Sequence, residues 1–105
     1  MSEALKPTEF HILLALADGS RHGYGIMKDV EQESGGDVRL EIGSLYRILG
    51  RLVDGGLIEE ADSDERRKFY RITRLGKLVL RAEAKRMVGL VETFRARKLL
   101  PEGDA

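Results

Sequence analysis

Between Thr73 and Leu100 the chain runs without a proline, and Pro101 follows as a stop. Thr73 is a good N-cap, so the stretch predicts one long helix. Within it Leu80, Ala84, Met87, Val91 and Phe94 recur alternately four and three residues apart, a heptad-like seam that Val88 widens. Leu75, Val79 and Ala82 form a second stripe near the helix start, predicted to pack on the preceding part of the chain. A helix apolar on two stripes needs two neighbours. In a chain of 105 residues whose other helices are short, the second neighbour is most economically another copy of the chain, so the seam is the expected dimer interface.

Three shorter helices are predicted ahead of it. The first covers Thr8–Ala17, with Thr8 as N-cap and Asp18-Gly19 as stop. Its expected buried stripe is Phe10, Leu13, Leu14 and Ala17, widened by Ile12 and Leu16. A polar turn, Asp18–Gly23, leads to the second, Tyr24–Glu33, with Ile26, Met27 and Val30 toward the core. Gly25 within it suggests a frayed first turn or a close approach of backbones. An extended link, Val38–Ile42, precedes the third, Gly43–Asp54, which buries Leu45, Ile48, Leu49 and Leu52 and ends at Gly55-Gly56. Its other side carries Ser44, Arg47 and Arg51, with Tyr46 at the edge; Arg47 and Arg51, four apart, project together.

Leu57–Ala61 and Arg66–Thr73 read as two strands joined by the turn formers Asp62-Ser63-Asp64, a β-hairpin. In the second strand Tyr70 and Ile72 share one face, and Phe69, Arg71 and Thr73 the other. The fold class is therefore mainly α with a small β-hairpin. Three helices, a hairpin and a fourth helix is the order of a winged helix-turn-helix, whose third helix enters the DNA major groove while the hairpin lies against the backbone. Arg47 and Arg51 supply planar forks for guanine edges or phosphates, Ser44 a hydroxyl donor, and Arg66, Arg67 and Lys68 cations where a wing meets phosphate.

The overall charge, 18 Lys and Arg against 18 Asp and Glu, conceals this pattern. Residues 1–65 carry 6 basic and 14 acidic side chains; residues 66–86 carry 9 basic ones and only Glu83. Half the positive charge thus falls on the wing and the start of the last helix, which points to an acidic partner.

Other function classes find no residues to support them. The chain has no cysteine, so thiol chemistry, disulfides and Cys-based zinc sites are excluded. His11 and His22 stand in no metal-ligand spacing and are expected to be structural or surface residues. No GxSxG, Walker or GxGxxG pattern occurs, so no catalytic residue, metal or cofactor is expected. No apolar run approaches the roughly 20 residues of a membrane span, and residues 1–7 hold no signal-peptide core, so the expectation is a soluble, cytoplasmic protein without a membrane partner.

Three stretches, HGYGI at His22–Ile26, GSLYRILGRLVDGGLI at Gly43–Ile58 and RRKFYRITRLGKLVL at Arg66–Leu80, together resemble the PadR family of transcriptional regulators, in the shorter subgroup whose C-terminal region is a single dimerisation helix. The resemblance spans nearly the whole chain. It implies a homodimer that binds an inverted-repeat operator on double-stranded DNA and represses transcription, with release triggered by a small molecule or another signal in many members. Tyr24 matches the family's helix-2 tyrosine, Leu45-Tyr46 its Leu-Tyr pair, Gly56-Leu57-Ile58 the wing entry, and Tyr70, Thr73 and Gly76 the wing exit. Tyr24 and Tyr46 thereby join the DNA-binding candidates. For each a structural role is the alternative, Tyr46 as a seal between the third helix and the wing. Arg47 stands where the family commonly has proline, and Gly50 where it usually has a larger polar residue. An effector pocket of the kind formed between dimer helices would be lined by Met87 and Phe94.

The expected organisation is a DNA-binding domain over 5–73, a dimerisation helix over 74–100 and a tail over 101–105. The alternative function, from another class, is a winged-helix protein-interaction module whose basic hairpin docks an acidic protein partner.

Overall fold

Helix initiation follows local chemistry in three of the four helices, though not always from the residue expected; the third, after Glu41, has no side-chain cap. The computed structural model of the chain describes residues 5–61 and 67–101. Helix α1, Pro7–Ala15, starts one residue earlier than Thr8 predicts: Pro7 occupies the first helical position, where its missing N–H costs nothing. Lys6 is the N-cap, and its N–H donates to Glu9 Oε1 at 2.9 Å. The buried residues of α1 are Ile12, Leu13 and Ala15, with Leu16 just beyond it, whereas Leu14 and Ala17 are exposed. Ile12–Ala17 is apolar throughout and so carries no helical phase; α1 packs on two helices rather than one, and they select its buried face.

A two-residue strand, β1 (Arg21–His22), leads directly into α2, Gly23–Glu33. His22 caps α2: its Nδ1 accepts the Gly25 N–H at 3.2 Å. Ile26 and Val30 are fully buried and Met27 partly so, as expected. Helix α3, Ile42–Asp54, buries Leu45, Ile48, Leu49 and Leu52. All four lie on the predicted face, and Gly56, at φ +77°, turns the chain away from the helix.

The chain then forms β2, Ile58–Glu60, and β3, Phe69–Ile72; the expected turn Asp62-Ser63-Asp64 lies outside the described residues. The expected hairpin is part of a three-stranded antiparallel sheet of order β1-β3-β2. Arg21 faces Tyr70 and His22 faces Phe69 on one side of β3; Ile58 faces Ile72 and Glu59 faces Arg71 on the other. Tyr70 and Ile72 point into the core beside Ile58, as their alternation predicts.

Helix α4, Arg74–Ala96, begins where Thr73 places it. Thr73 Oγ1 accepts the Gly76 N–H at 3.0 Å and donates to the Gly56 carbonyl at 2.6 Å, so the cap also ties α4 to the turn after α3. Gly76 lets α4 pass against the chain there: a Cβ would collide with the Leu57 carbonyl oxygen and the Ile72 side chain. The helix stops four residues before Leu100. Lys98 takes the left-handed conformation, φ +60°, and the Leu99 N–H reaches back to the Phe94 carbonyl at 2.8 Å, a Schellman-type end with no glycine to announce it.

The face of α4 turned to its own domain also differs from expectation. Gly76 and Glu83 are the buried residues of α4, and Leu80 packs partly buried against the core, whereas Leu75 and Ala82 are exposed. Glu83 is held in this position by Arg86, whose Nη2 donates to Oε2 at 2.8 Å and lowers the carboxyl pKa; the Leu5 backbone adds a hydrogen bond. Every residue from 88 to 99 is exposed.

Candidate nucleic-acid interface

The amphipathic phase of α3 decides what its outer surface displays. With four leucine and isoleucine side chains committed inward, Arg47, Gly50 and Arg51 face outward and Ser44 sits half-buried in the first turn. No atom would meet a Cβ at Gly43 or Gly50, so the surface around the two arginines is open. Among the described residues neither Arg47 nor Arg51 forms an ion pair, in contrast to Arg21 with Asp29, Arg39 with Glu31 and Arg71 with Glu59. Glu41 and Asp54, the acidic residues at either end of α3, form no ion pair with either arginine among the described residues.

Tyr46, 47% exposed, leans from α3 across the start of α2. A Cβ at Gly23 would lie 2.6 Å from the Tyr46 hydroxyl oxygen, so a side chain crosses α2 at Gly23, whereas the atoms nearest a Cβ at Gly25 belong to the His22 and Arg21 side chains and not to a backbone. Tyr46 therefore packs over α2. Tyr24 projects into solvent, 63% exposed. His22, Gly23, Tyr24, Tyr46, Arg67 and Lys68 together line a cleft of about 210 Å³. The geometry thus gathers four predicted residues, Tyr24, Tyr46, Arg67 and Lys68, at one place, while Ser44, Arg47 and Arg51 belong to the adjoining face of α3. Arg66 lies outside the described residues.

The wing is less basic in effect than its sequence. Lys68 Nζ lies 3.7 Å from Glu60 Oε2, and Arg71 Nε donates to Glu59 Oε2 at 2.6 Å across the β2–β3 ladder. These exposed pairs contribute at most about 1 kcal/mol each, and they reduce the positive surplus that the charge count implies. Burial, with Glu60 and Tyr46 nearby, pushes the Tyr70 phenol up and keeps it neutral.

Of the two histidines, His11 is largely covered, its Nδ1 3.5 Å from Glu33 Oε2 between α1 and α2. Burial raises the Glu33 carboxyl pKa, and His11 opposes that rise. His22 is both helix cap and cleft lining, a position its sequence context does not reveal.

The model of the transcriptional regulator PadR-like family matches residues 12–82, from the core of α1 to the middle of α4. The chain belongs to that family. A PadR-like fold is shared with the PadR family transcription regulator of Clostridium difficile R20291, at a TM-score of 0.74 with 23% identity, covering 87% of this chain and 97% of that one. Bacillus subtilis PadR, solved in complex with operator DNA, superposes at a TM-score of 0.65 with 26% identity over 73% of this chain and 46% of that one. Among curated proteins, an uncharacterized 37.1 kDa protein in transposon TN4556 of Streptomyces fradiae is 40% identical over 79 residues. That match takes in 75% of this chain but 22% of the Streptomyces protein, so the PadR-like chain spans about a fifth of that relative. The winged-helix order read from the sequence and the PadR resemblance are both upheld. The short strand β1, which joins the wing sheet to α2 and brings His22 into the cleft, escaped sequence reasoning because two residues have no period.

Proposed function

We propose that this PadR-like regulator binds double-stranded DNA as a homodimer on an inverted-repeat operator and represses transcription, with residues 5–73 as the DNA-binding domain, 74–100 as the dimerisation segment, helical to Ala96, and 101–105 as a tail. The observation that carries the reading is the outer face of α3, where Arg47 and Arg51 stand exposed and uncompensated one turn apart beside Ser44. In the major groove such a face offers bidentate contacts to guanine edges. Tyr24, Tyr46, Arg67 and Lys68 then meet the sugar-phosphate backbone from the adjoining cleft, and Arg66 is proposed to do so from the wing. B. subtilis PadR in its operator complex supports the choice of ligand.

The homodimer reading rests on α4, whose residues from 88 to 96 are all exposed, with Val88, Val91 and Phe94 among them. Leu80 serves its own core first, Ala84 and Met87 mark the crossover, and Leu90, 44% exposed, joins the seam although its spacing was not singled out. A small-molecule effector would sit between paired helices against Met87 and Phe94. Among the described residues no helix is long and apolar enough to cross a membrane.

Band-shift titration with duplex DNA from the gene's own upstream region, against random duplex, tests the reading. Specific retardation at physiological salt is expected, and Arg51→Ala should weaken it by roughly 1 to 3 kcal/mol while relaxing one operator position per half-site. Equal weakening on both duplexes would remove Arg51 from base readout. No retardation, with an acidic protein retained instead, would favour the protein-docking module.

A further inference from the structure

The imidazole of His22 faces more donors than it has acceptors. Its Nδ1 receives the Gly25 N–H at 3.2 Å, and its Nε2 lies 3.4 Å from Nη1 of Arg67. A neutral imidazole has one acceptor nitrogen; the other carries the proton. The Gly25 amide is an early helical N–H with no partner inside α2, and the helix holds it in place. The Arg67 guanidinium is the end of a long, exposed side chain, whereas the amide is part of the helix backbone. The capping bond therefore sets the tautomer, and the ring proton resides on Nε2.

Two N–H groups, from His22 and Arg67, then converge on shared space. That space is the cleft of about 210 Å³, whose other polar side chains are the Tyr24 and Tyr46 hydroxyls and the Lys68 ammonium. Among the described residues that line it none is a carboxylate, and Glu60 reaches Lys68 at 3.7 Å from outside the lining. The His22 ring packs edge-on against Phe69, centroids 5.5 Å apart, which restrains its orientation.

We propose that His22 is a phosphate-binding residue: its Nε2–H, held in that tautomer by the α2 cap, donates to a non-bridging oxygen of a DNA phosphodiester seated in this cleft beside Arg67 and Lys68. The proposal rests on the DNA-binding reading above. A phosphate held there touches β1, α2, α3 and the wing at once, so it fixes how deep and in what register α3 lies in the groove. As long as Nδ1 keeps the capping bond the ring holds one proton, so the contact adds a hydrogen bond without releasing a counterion.

The full chain is titrated with a mixed-sequence duplex of two helical turns over a range of salt concentrations, as wild type, His22→Ser and Lys68→Ala. Serine preserves a capping acceptor for the Gly25 amide but cannot reach the cleft. His22→Ser is expected to weaken binding about fivefold per contact at every salt concentration, leaving the salt slope at its wild-type value. Lys68→Ala is expected to lower the slope by about one. Wild-type affinity in His22→Ser, or a reduced slope, overturns the neutral-donor role while the DNA-binding reading stands; a wild-type chain that binds no duplex overturns both. Nitrogen-15 spectra of the wild-type ring give a readout independent of the variant's folding: an Nε2-protonated ring whose Nε2 signal moves on adding duplex is expected. A proton on Nδ1, or an unmoved Nε2 signal, overturns the proposal.

Discussion

The two ends of α4 obey one apolar spacing and meet opposite fates. From Thr73 to Leu80 the helix is bound to its own domain by the Thr73 cap, the Gly76 passage beneath Leu57 and the packing of Leu80 on the core. From Val88 to Ala96 none of the described residues covers it, and Val88, Leu90, Val91 and Phe94 are each at least 40% exposed. Between the two, the carboxylate of Glu83 takes a place that spacing alone would assign to an apolar side chain. An uninterrupted seam in sequence can thus be divided between an intramolecular and an intermolecular task, and one burial pattern does not imply one partner.

The largest test of this division is Val91→Asp. In the proposed dimer it sets a carboxylate from each protomer into an apolar seam, at a cost on the order of 4 kcal/mol, roughly a thousandfold in Kd. Sedimentation should move from twice the chain mass toward 11.8 kDa while the winged domain keeps its circular dichroism. A wild-type chain that is monomeric at micromolar concentration would break the comparison outright.

Gly76→Ala attacks the other end. The new methyl meets a backbone carbonyl that cannot yield without moving the turn, so stability should drop by about 3 kcal/mol and thermal melting by roughly 12 °C or more. Melting unchanged within a degree or two would mean that the proximal half of α4 is not anchored here. Thr73→Ala should cost less, about 1 to 2 kcal/mol in urea unfolding, since it removes one cap and one hydrogen bond to Gly56.

The smallest effect is in pH. Arg86 holds the Glu83 carboxyl below its ordinary 4.5, so its contribution is complete above that value and is lost as pH falls through the lowered native value. Glu33, raised by burial, acts in the opposite sense: its ionisation costs stability as pH rises from 4.5 through the native value. Glu83→Gln should therefore flatten the acid limb of the stability profile, and Glu33→Gln should steepen it. Acid limbs identical to wild type in both variants would show that neither carboxyl senses its surroundings.

Legibility in the sequence varied with the kind of signal. In α3 apolar and polar residues alternate at helical period, so Leu45, Ile48, Leu49 and Leu52, and by elimination Arg47 and Arg51, were assigned to the correct faces. In α1 the unbroken apolar run Ile12–Ala17 offered no phase, and the exposure of Leu14 and Ala17 came only with the helices packed beside it. The hairpin register places Glu59 and Glu60 opposite Arg71 and Tyr70, a cross-strand pairing that charge along the linear chain does not show.

What the sequence by itself determined is local: the Thr73 cap, the glycine stop after α3, the strand alternation at Tyr70 and Ile72, and the arginine face of α3. Each rests on residues within a turn or a few positions of one another, whose steric and hydrogen-bonding preferences act before any tertiary contact forms. Only the tertiary structure decided which stripe of α4 serves its own core, that Tyr46 closes over Gly23, and that His22 shares a cleft with Arg67 and Lys68. Those contacts join residues more than twenty positions apart, and they are set by the packing of helices and sheet against each other, which no local preference encodes.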